Sequence, residues 1–533
     1  MRRSLVFLFV AAVALLLYAP TATFDFVKAD DEDLIAGNRA FLSDLRNVPR
    51  AFTRSYFEVD GELTTQKTYY RPVTIVSFML DTAGGGASPR PHHATNVVLH
   101  ASATCLLLAL ALAWGAPSWA ALAAALVFAV HPVNAQAVAW IAGRNDLLLA
   151  VFGLLSLLAW TSLTSRSARG TPGRAVAHVA AFGLALFSKE TGIVVPLIAV
   201  LHRRLALRER LTRWHWIALG SDAALVVAWA VLRARALAGM TSELSWDSWS
   251  VVASNAPQVL VHLRKVFFPV PLNVSPGVQD LDLLLAALAL VVLGFVTSRH
   301  LAGALGVLAL VWVLLFLLPT LLVPGLPAYE HRAYVPLAGM LLCAAASLAE
   351  RDRLRAPRAG GPPTRLAGAD GPPRVAQVVG LAAILGVFAT LTHERLDVFR
   401  DPFSYWTDGT RDPEFGPIAH VNLGQLHERA GRPADARREY LRALARDPNT
   451  PKAHNNLGVV LMALDEPDLA VTHFREEAAR HPWNADAWFN LGLWHERHGQ
   501  PAEATRYYER AIGANPSYRP AYEKLGRPQP QTP

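Results

Sequence analysis

Residues 421–448, VNLGQLHERAGRPADARREYLRALARDP, carry a pattern of small and bulky residues that decides the fold of the last part of the chain. The leucine-glycine pair in this stretch recurs at a spacing of 34 residues, at Gly424, Gly458 and Gly492. An alanine follows each glycine after 12 residues, an aromatic residue after 16 and a proline after 24. A period of this length predicts one helix–turn–helix unit per repeat, in which small residues let two helices approach closely and an aromatic ring fills the space between them.

This is the tetratricopeptide pattern, and it predicts an α-solenoid. The units are expected at 417–450, 451–484, 485–518 and, as a partial fourth unit that caps the array, 519–533. Stacked units of this kind form a concave surface that binds a peptide or a partner protein. The pattern does not indicate catalysis.

The composition of the remaining chain indicates a membrane protein. The chain is 52% hydrophobic and 17% charged, whereas soluble proteins have about 25% charged residues. Cys105 and Cys343 lie far apart in apolar runs, which argues against both a disulfide framework and a cysteine-ligated zinc site. The formal net charge of +8 is concentrated in arginine clusters within 203–213 and 351–365, between hydrophobic runs. This distribution is typical of cytoplasmic loops of membrane proteins, so no nucleic-acid partner is expected.

Residues 1–400 are expected to form a polytopic helix bundle of about eleven spans, so the whole chain is predicted to be all-α. The apolar runs are 4–20, 95–114, 118–134, 145–164, 174–188, 190–202, 214–233, 281–298, 301–322, 333–349 and 374–392. Most of them approach the roughly 20 residues that cross a bilayer.

The arginine clusters orient these spans. Arg2 and Arg3 precede the first run, which we interpret as an uncleaved span with its N-terminus in the cytoplasm. Residues 21–93 then form an outer loop, and 257–270 form an interfacial or re-entrant helix on the outer side. This topology places the repeats outside, and the alanine-, arginine- and glycine-rich composition favours a bacterial inner membrane with periplasmic repeats.

An acidic motif follows the first span. The sequence FVKADDEDLI at 26–35 places Asp30, Asp31, Glu32 and Asp33 at the membrane surface. Because adjacent carboxylates repel each other when both are ionised, one of them is expected to keep a raised pKa and to act as a base near neutral pH. The alternative is a solvated acidic turn that ends the helix.

Further polar residues lie within or beside the predicted spans, where they are costly and therefore point to function. His93, Asn96 and His100 share one face of the second span by their i+3 and i+4 spacing. The other groups are His131, Gln136, Trp140, Arg144, Asn145 and Asp146; Lys189 and Glu190; Arg264 and Lys265; and Glu330, His331, Arg332 and Tyr334. Each group has a structural alternative, such as an ion pair at a helix end or a contact with lipid phosphate. A metal site from His92, His93 and His131 lacks any recognised ligand spacing, so no metal or other cofactor is predicted.

The motifs together resemble those of a known family. FVKADDEDLI, Tyr70-Arg71-Pro72, HATNVVLH, HPVNAQAVAWIAGRNDLL, FSKE and EHRAYVP occur in this order ahead of the repeats. The set is similar to that of the transmembrane-and-tetratricopeptide O-mannosyltransferases and their bacterial relatives, in the C-type glycosyltransferase superfamily. The resemblance covers nearly the whole chain, and it departs at Gln136, where relatives usually carry glutamate.

The resemblance implies an inverting transfer of a sugar, with mannose the first expectation, from a polyprenyl-phosphate donor to Ser or Thr of a protein acceptor on the non-cytoplasmic side. Its acidic pair falls on Asp30 and Asp31, either of which is the candidate base. Candidate residues for binding the donor phosphate or substrate are Arg71, His93, Asn96, His131, Arg144, Lys189, Glu190, Arg264, Glu330, His331, Arg332 and Tyr334. The alternatives are a non-enzymatic membrane scaffold for partners of the repeats and a ligase for a larger lipid-linked glycan.

Overall fold

The helices of the chain fall into two compact units, Met1–Asp401 and Pro402–Pro533. The computed structural model describes residues 3–27, 30–59, 62–63, 69–163, 171–238, 248–273, 285, 303–323, 329–355 and 375–528. In the described residues the first unit is mostly helical, and it contains one hairpin of two short strands. Its strands β1 (Glu58–Val59) and β2 (Glu62–Leu63) pair antiparallel.

Most of the long helices of the first unit follow the apolar runs of the sequence, but three helices lie within 21–93, which the sequence predicts as an outer loop. They are α1 Arg3–Tyr18, α2 Arg39–Leu42, α3 Val48–Ala51, α4 Pro72–Gly85, α5 Pro89–Ala113, α6 Ser118–Val130, α7 Ala135–Ala139, α8 Arg144–Thr161, α9 Thr171–Ser188, α10 Val195–Leu201, α11 Arg213–Ala236, α12 Ser248–Phe267, α13 Ala304–Leu322, α14 Tyr334–Arg355 and α15 Val375–Leu396. The predicted span at 281–298 lies outside the described residues except for Leu285, and part of the arginine cluster within 351–365 lies outside them as well.

Six of the described helices are long and apolar enough to cross a membrane, namely α1 with the turn after it, α5, α8 with the turn before it, α11, α13 and α15 with the turn after it. The pair formed by α6 and the segment Pro132–Ala139 makes a seventh if its 51° bend lies within one span. The chain is therefore an integral membrane protein. The predicted run at 190–202 is broken into a 3-10 turn, Glu190–Val194, and the seven-residue α10. By itself α10 is too short to cross a bilayer, which takes about 20 helical residues.

Short turns interrupt the bundle, and most of the polar motifs lie on them. The 3-10 turns are Ala19–Thr23, Leu45–Asn47, Pro132–Asn134, Ile141–Gly143, Glu190–Val194, Glu330–Ala333 and Asp397–Phe399, and π-helical turns occur at Glu32–Ala36 and His202–Ala206. Non-helical backbone at membrane depth is tolerated only where it is buried in protein or lines a cavity. The turns at Pro132–Asn134, Ile141–Gly143 and Glu330–Ala333 meet this condition, since nearly all of their residues are buried.

The core of the bundle combines small and large side chains. The alanine-rich α6 buries Ala121, Ala125 and Ala129 completely, which allows neighbouring helices to pack closely. Trp312 of α13 packs over Gly339, where a Cβ atom would lie 2.4 Å from the indole ring. The indole N–H of Trp312 donates to the carbonyl of Val335 at 3.0 Å, so this large side chain also satisfies its polar atom.

The second unit consists of antiparallel helix pairs at the predicted period. Its helices are α16 Pro402–Gly409, α17 Gly416–Arg429, α18 Pro433–Arg446, α19 Ala453–Ala463, α20 Pro467–Arg480, α21 Ala485–Arg497, α22 Pro501–Ala514 and α23 Arg519–Lys524. A Cβ atom on Gly424, Gly458 or Gly492 would lie 2.3–2.5 Å from the ring of the aromatic residue 16 positions later. The glycine-aromatic contact expected from the sequence is therefore the one that closes each helix pair.

Candidate active site at the helix breaks

The acidic turn is tied to the membrane bundle through Asp31. The Asp31 carboxyl has no solvent exposure. One of its oxygens accepts the backbone N–H of Ala142 at 3.0 Å and the other accepts the N–H of Val27 at 3.2 Å. Burial raises the pKa of Asp31 to about 8, although both backbone hydrogen bonds act in the opposite direction. Asp30, in the same turn, is only half-buried.

A second set of contacts surrounds Arg144 at the start of α8. Its side chain is fully buried, and it forms a 2.6 Å ion pair with Asp81 of α4. Its Nε donates to Oδ1 of Asn96 at 2.8 Å, and its Nη2 donates to the carbonyl of His92 at 2.7 Å. Its guanidinium carbon lies 4.6 Å from the centre of the Phe78 ring. The structure thus places Arg144 inside the protein with its donors occupied.

Two ion pairs lie at the break between α9 and α10. Lys189 Nζ donates to both oxygens of Asp146 at 2.7 Å. Arg71 donates through Nε and Nη2 to one oxygen of Glu190, at 3.2 and 3.1 Å. These pairs join three motifs that are distant in sequence, and they hold two cations at one end of the bundle.

Arg332 lies beside these pairs with a different environment. It is half-buried, its Nη1 reaches the hydroxyl of Thr320 at 3.5 Å, and its guanidinium carbon lies 5.5 Å from the centre of the Tyr329 ring. In the part of the chain that the structure describes, no carboxylate pairs with it. Arg332 and Arg71 are both electrostatic neighbours of Lys189.

Two tyrosines pack against the Arg71 guanidinium, and one of them, Tyr56, also lies near the acidic turn. Tyr56 is an electrostatic neighbour of Asp30, Asp31 and Arg71. The Arg71 guanidinium carbon lies 5.5 Å from the centre of the Tyr56 ring and 4.3 Å from that of Tyr69. Tyr56 is therefore close to both the acidic turn and Arg71.

A small apolar cleft of about 10 Å³, which is room for about one water molecule, lies between α8, α10, α13 and α14. It is lined by Leu149, Ala150, Gly153, Leu154, Leu157, Val195, Ile198, Trp312, Phe316, Val335 and Ala338. Leu149 follows Asp146 by three residues, and Val335 follows Arg332 by three. Three helical residues advance about 5 Å along the axis, so the cleft starts within one turn of the charged groups.

Other predicted site residues are engaged away from the cations. Glu330 pairs with Arg395 of α15 at 2.7 Å. His131 Nε2 donates to the carbonyl of Val266 at 2.9 Å, and Arg264 Nη1 donates to the carbonyl of Pro271 at 2.7 Å. Each of these contacts connects residues of the membrane unit with one another, so each has a structural role in the bundle.

Three more predicted residues have internal partners. The hydroxyl of Tyr334 lies 2.8 Å from Nδ1 of His100, deep in the bundle. His93 Nε2 contacts the carbonyl of Asp25 at 3.5 Å. His331 donates its backbone N–H to Oε1 of Gln136 at 3.1 Å and approaches the same oxygen with Nδ1 at 3.2 Å. The backbone N–H of His331 needs only an oxygen acceptor, so the neutral glutamine at position 136 can make this contact without a charge.

Sequence reasoning missed several members of the site. Asp81 was overlooked because it lies in the predicted outer loop, yet a lone acid in the apolar run FMLDTAGG is a usable signal. Tyr56 lies 15 residues before Arg71 and gives no sequence signal, whereas Tyr69 belongs to the aromatic-basic run Tyr69-Tyr70-Arg71-Pro72. A Ser156–His178–Asp222 chain inside the bundle was also missed, with contacts of 2.8 and 3.1 Å that join α8, α9 and α11.

No metal centre is evident in the described ranges, where no three His, Cys, Asp or Glu side chains are arranged to hold an ion.

Comparison with known proteins confirms the repeats and the resemblance. A tetratricopeptide-repeat family model matches residues 421–482 and 460–519. Protein O-mannosyl-transferase Tmtc2 of Drosophila melanogaster is 33% identical over 198 residues, which is 36% of this chain and 21% of the relative. Protein O-mannosyl-transferase TMTC4 of Mus musculus is 30% identical over 211 residues, which is 35% of this chain and 28% of the relative. The chain thus spans less than a third of the length of these relatives.

Solved structures give weaker likenesses. The crystal structure of ArnT from Cupriavidus metallidurans in the apo state has 15% identity and a TM-score of 0.42, over 91% of this chain and 80% of that one. The crystal structure of MamA has 23% identity and a TM-score of 0.20, over 23% of this chain and 75% of that one. At these values neither likeness bears on the function.

Proposed function

We propose that the membrane unit transfers a sugar, mannose in the first instance, from a polyprenyl-phosphate donor to a Ser or Thr hydroxyl of a protein acceptor on the non-cytoplasmic side. The observation that carries this proposal is the order of three environments at one end of the bundle: an acidic turn, a group of cations and an apolar cleft. A polyprenyl-phosphate sugar has the same order of a polar sugar, an anionic phosphate and an apolar chain. The names of the curated relatives support the same reaction class.

The donor phosphate binds at Arg332, with Lys189 and Arg71 beside it. Arg332 has no carboxylate partner in the described part of the chain, whereas the other two cations are already paired. The aromatic face of Tyr329 and the hydroxyl of Thr320 keep the Arg332 guanidinium in position. The positive charge stabilises the phosphate as it leaves the sugar. The first part of the lipid chain lies along the apolar helices around the cleft, which at about 10 Å³ is itself too small to hold it.

Asp30 acts as the general base. A base must reach the proton it removes, and geometry takes precedence over pKa in identifying one. Asp31 is fully buried and holds two backbone N–H groups, whereas Asp30 is half-exposed in the same turn. The acceptor hydroxyl attacks the anomeric carbon as its proton passes to Asp30. The bond from the anomeric carbon to the phosphate oxygen breaks, and the polyprenyl phosphate leaves from the opposite face, so the anomeric centre inverts.

The repeats hold the acceptor polypeptide or a partner protein, because a stacked array of helix pairs presents an extended surface for such ligands. This role places the repeats on the same side of the membrane as the acidic turn, in the periplasm of a bacterial cell.

A transfer assay with the purified protein tests the proposal. Labelled polyprenyl-phosphate-mannose, polyprenyl-phosphate-glucose and a diphosphate-linked oligosaccharide are offered with Ser/Thr-containing peptides. We expect transfer from a monophosphate donor, and Arg332→Ala should weaken binding of that donor because it removes a partner of the phosphate in the ground state. Transfer from the oligosaccharide alone would identify a ligase, and absence of both donor binding and transfer would favour the scaffold.

A further inference from the structure

Arg144 is poorly placed to bind a substrate, because its guanidinium group is already bound by other residues. All three guanidinium nitrogens have partners in the protein: Nε binds Asn96, Nη1 binds Asp81 and Ser77, and Nη2 binds the carbonyl of His92. The side chain has no solvent exposure. A phosphate could reach it only by displacing the buried Asp81 pair, which would leave that carboxylate uncompensated.

The same contacts lead to the acidic turn. The amide of Asn96, which Arg144 fixes through its oxygen, donates to the carbonyls of Val138 and Trp140 at 3.2 and 3.3 Å. These carbonyls directly precede the 3-10 turn Ile141–Gly143. The middle residue of that turn, Ala142, donates its N–H to Asp31.

The turn itself tolerates little movement. A Cβ atom on Gly143 would lie 2.7 Å from the carbonyl oxygen of Ala137, so the backbone of the turn is in close contact with α7. The side-chain amide of Asn145 donates to the carbonyl of Ala142 at 2.7 Å. The N–H that holds Asp31 therefore belongs to a turn fixed from both sides.

We propose that Arg144 is a positioning residue, which locks α4 and α5 onto the Ile141–Gly143 turn and thereby holds the Asp30–Asp31 pair in place. It does not bind the donor phosphate. Its importance for transfer rests on the proposed function, whereas its effect on the turn does not.

Arg144→Lys separates the two roles. Lysine keeps the charge and can pair with Asp81, but it is a compact cation that cannot make the planar fork to Asn96 and the His92 carbonyl. A ligand of the donor phosphate would lose donor affinity on this change, because lysine cannot bind a phosphate through the two-pronged contact that arginine makes. A positioning residue would instead lose the order of the turn and keep its donor affinity.

The test compares hydrogen exchange of the amides in 138–146 with donor affinity in Arg144→Lys and in the matched control Arg332→Lys. In Arg144→Lys we expect exchange in 138–146 to rise by roughly tenfold or more, since the charge-assisted hydrogen bond that fixes Asn96, and through Asn96 the turn, is lost. Donor affinity should change by less than about twofold, because no donor contact is removed, while kcat falls. In Arg332→Lys we expect unchanged exchange in 138–146 and weaker donor binding.

Unchanged exchange together with lost donor affinity in Arg144→Lys would overturn the proposal. If that variant does not fold, Asn96→Leu tests the same link, because it leaves the Arg144–Asp81 pair and removes both the contact of Asn96 with Arg144 and its contacts with the carbonyls of Val138 and Trp140. Normal exchange in a folded Asn96→Leu protein would likewise overturn it. If the wild-type protein neither binds nor transfers a sugar donor, the proposed function fails, and the exchange measurements still decide whether Arg144 fixes the turn.

Discussion

At the scale of single residues, two adjacent carboxyls occupy different environments. Asp31 is buried and bound to two backbone amides, and Asp30 is half-exposed. Neighbouring acids whose environments separate their pKa values are a common arrangement in acid–base catalysis. In the proposed mechanism the buried member fixes the turn, and the more accessible member is the base that faces the acceptor.

The raised pKa of Asp31 predicts a pH-dependent stability. Because the folded state raises this pKa to about 8, the carboxyl favours the folded protein when it is protonated. Its contribution is fully present below its ordinary pKa of about 4 and is lost as the pH rises through about 8. The thermal unfolding midpoint of the wild type should therefore fall more steeply between pH 5 and pH 8.5 (roughly the window that these values bound) than that of Asp31→Asn. Parallel curves for the two proteins would show that Asp31 does not titrate in this range.

Individual residues also mark the limit of sequence reasoning. The motifs were found because charged groups in apolar runs are costly, and Lys189, Glu190 and Arg332 do lie near each other. The partner of Arg144 was not found, since Asp81 is 63 residues earlier in the chain. A sequence shows that an arginine needs a counter-ion, but only the fold shows whether a protein carboxylate already supplies it.

At the scale of elements, the helix breaks organise the membrane unit. Proline and glycine at Pro132 and Gly143 coincide with two of them, and these breaks were visible in sequence as motif positions. The break at Glu190–Val194 was predicted as part of a continuous span, because an apolar run does not reveal that its first turn is 3-10. The period of the repeats was predictable for a different reason: the same glycine-aromatic pair recurs in all three full units.

That contact makes a prediction for the repeats. Gly458→Ala would place a methyl group 2.5 Å from the Phe474 ring, and overpacking of this kind costs about 1–3 kcal/mol. Hydrogen exchange of peptides from 453–480 in the full-length chain should increase accordingly. Gly513→Ala is the matched control, because an added Cβ there has nothing within 4 Å and alanine is the better helix former by about 1 kcal/mol. Equal exchange in both variants would contradict the close-packing role of Gly458.

At the scale of the whole molecule, charge determines which way the chain crosses the membrane. Arginine clusters lie within 203–213 and 351–365, and loops with such clusters remain in the cytoplasm. The proposed function requires the repeats and the acidic turn on the opposite side. The number of spans could not be counted from apolar runs alone, since a short broken segment and a crossing helix have similar compositions.

Reporter fusions test this topology. A reporter at Gly360 should be cytoplasmic, and one at Gly499 should lie on the other side, because the arginine clusters bias orientation. A fusion after Phe403 serves as a control that the membrane unit inserts without the repeats, whose units contact mainly their own neighbours. Both reporters on one side would contradict the predicted arrangement of an odd number of spans.

The most direct test of the central claim is the rate of sugar transfer at saturating donor in Asp30→Asn, with Asp33→Asn as the control in the same turn. Asp30→Asn keeps the size of the side chain and removes its basicity, so kcat should fall by about 10²–10⁴, with donor affinity unchanged. Asp33 is exposed, so Asp33→Asn should transfer at nearly the wild-type rate. Wild-type transfer by Asp30→Asn would contradict the assignment of this acid as the base.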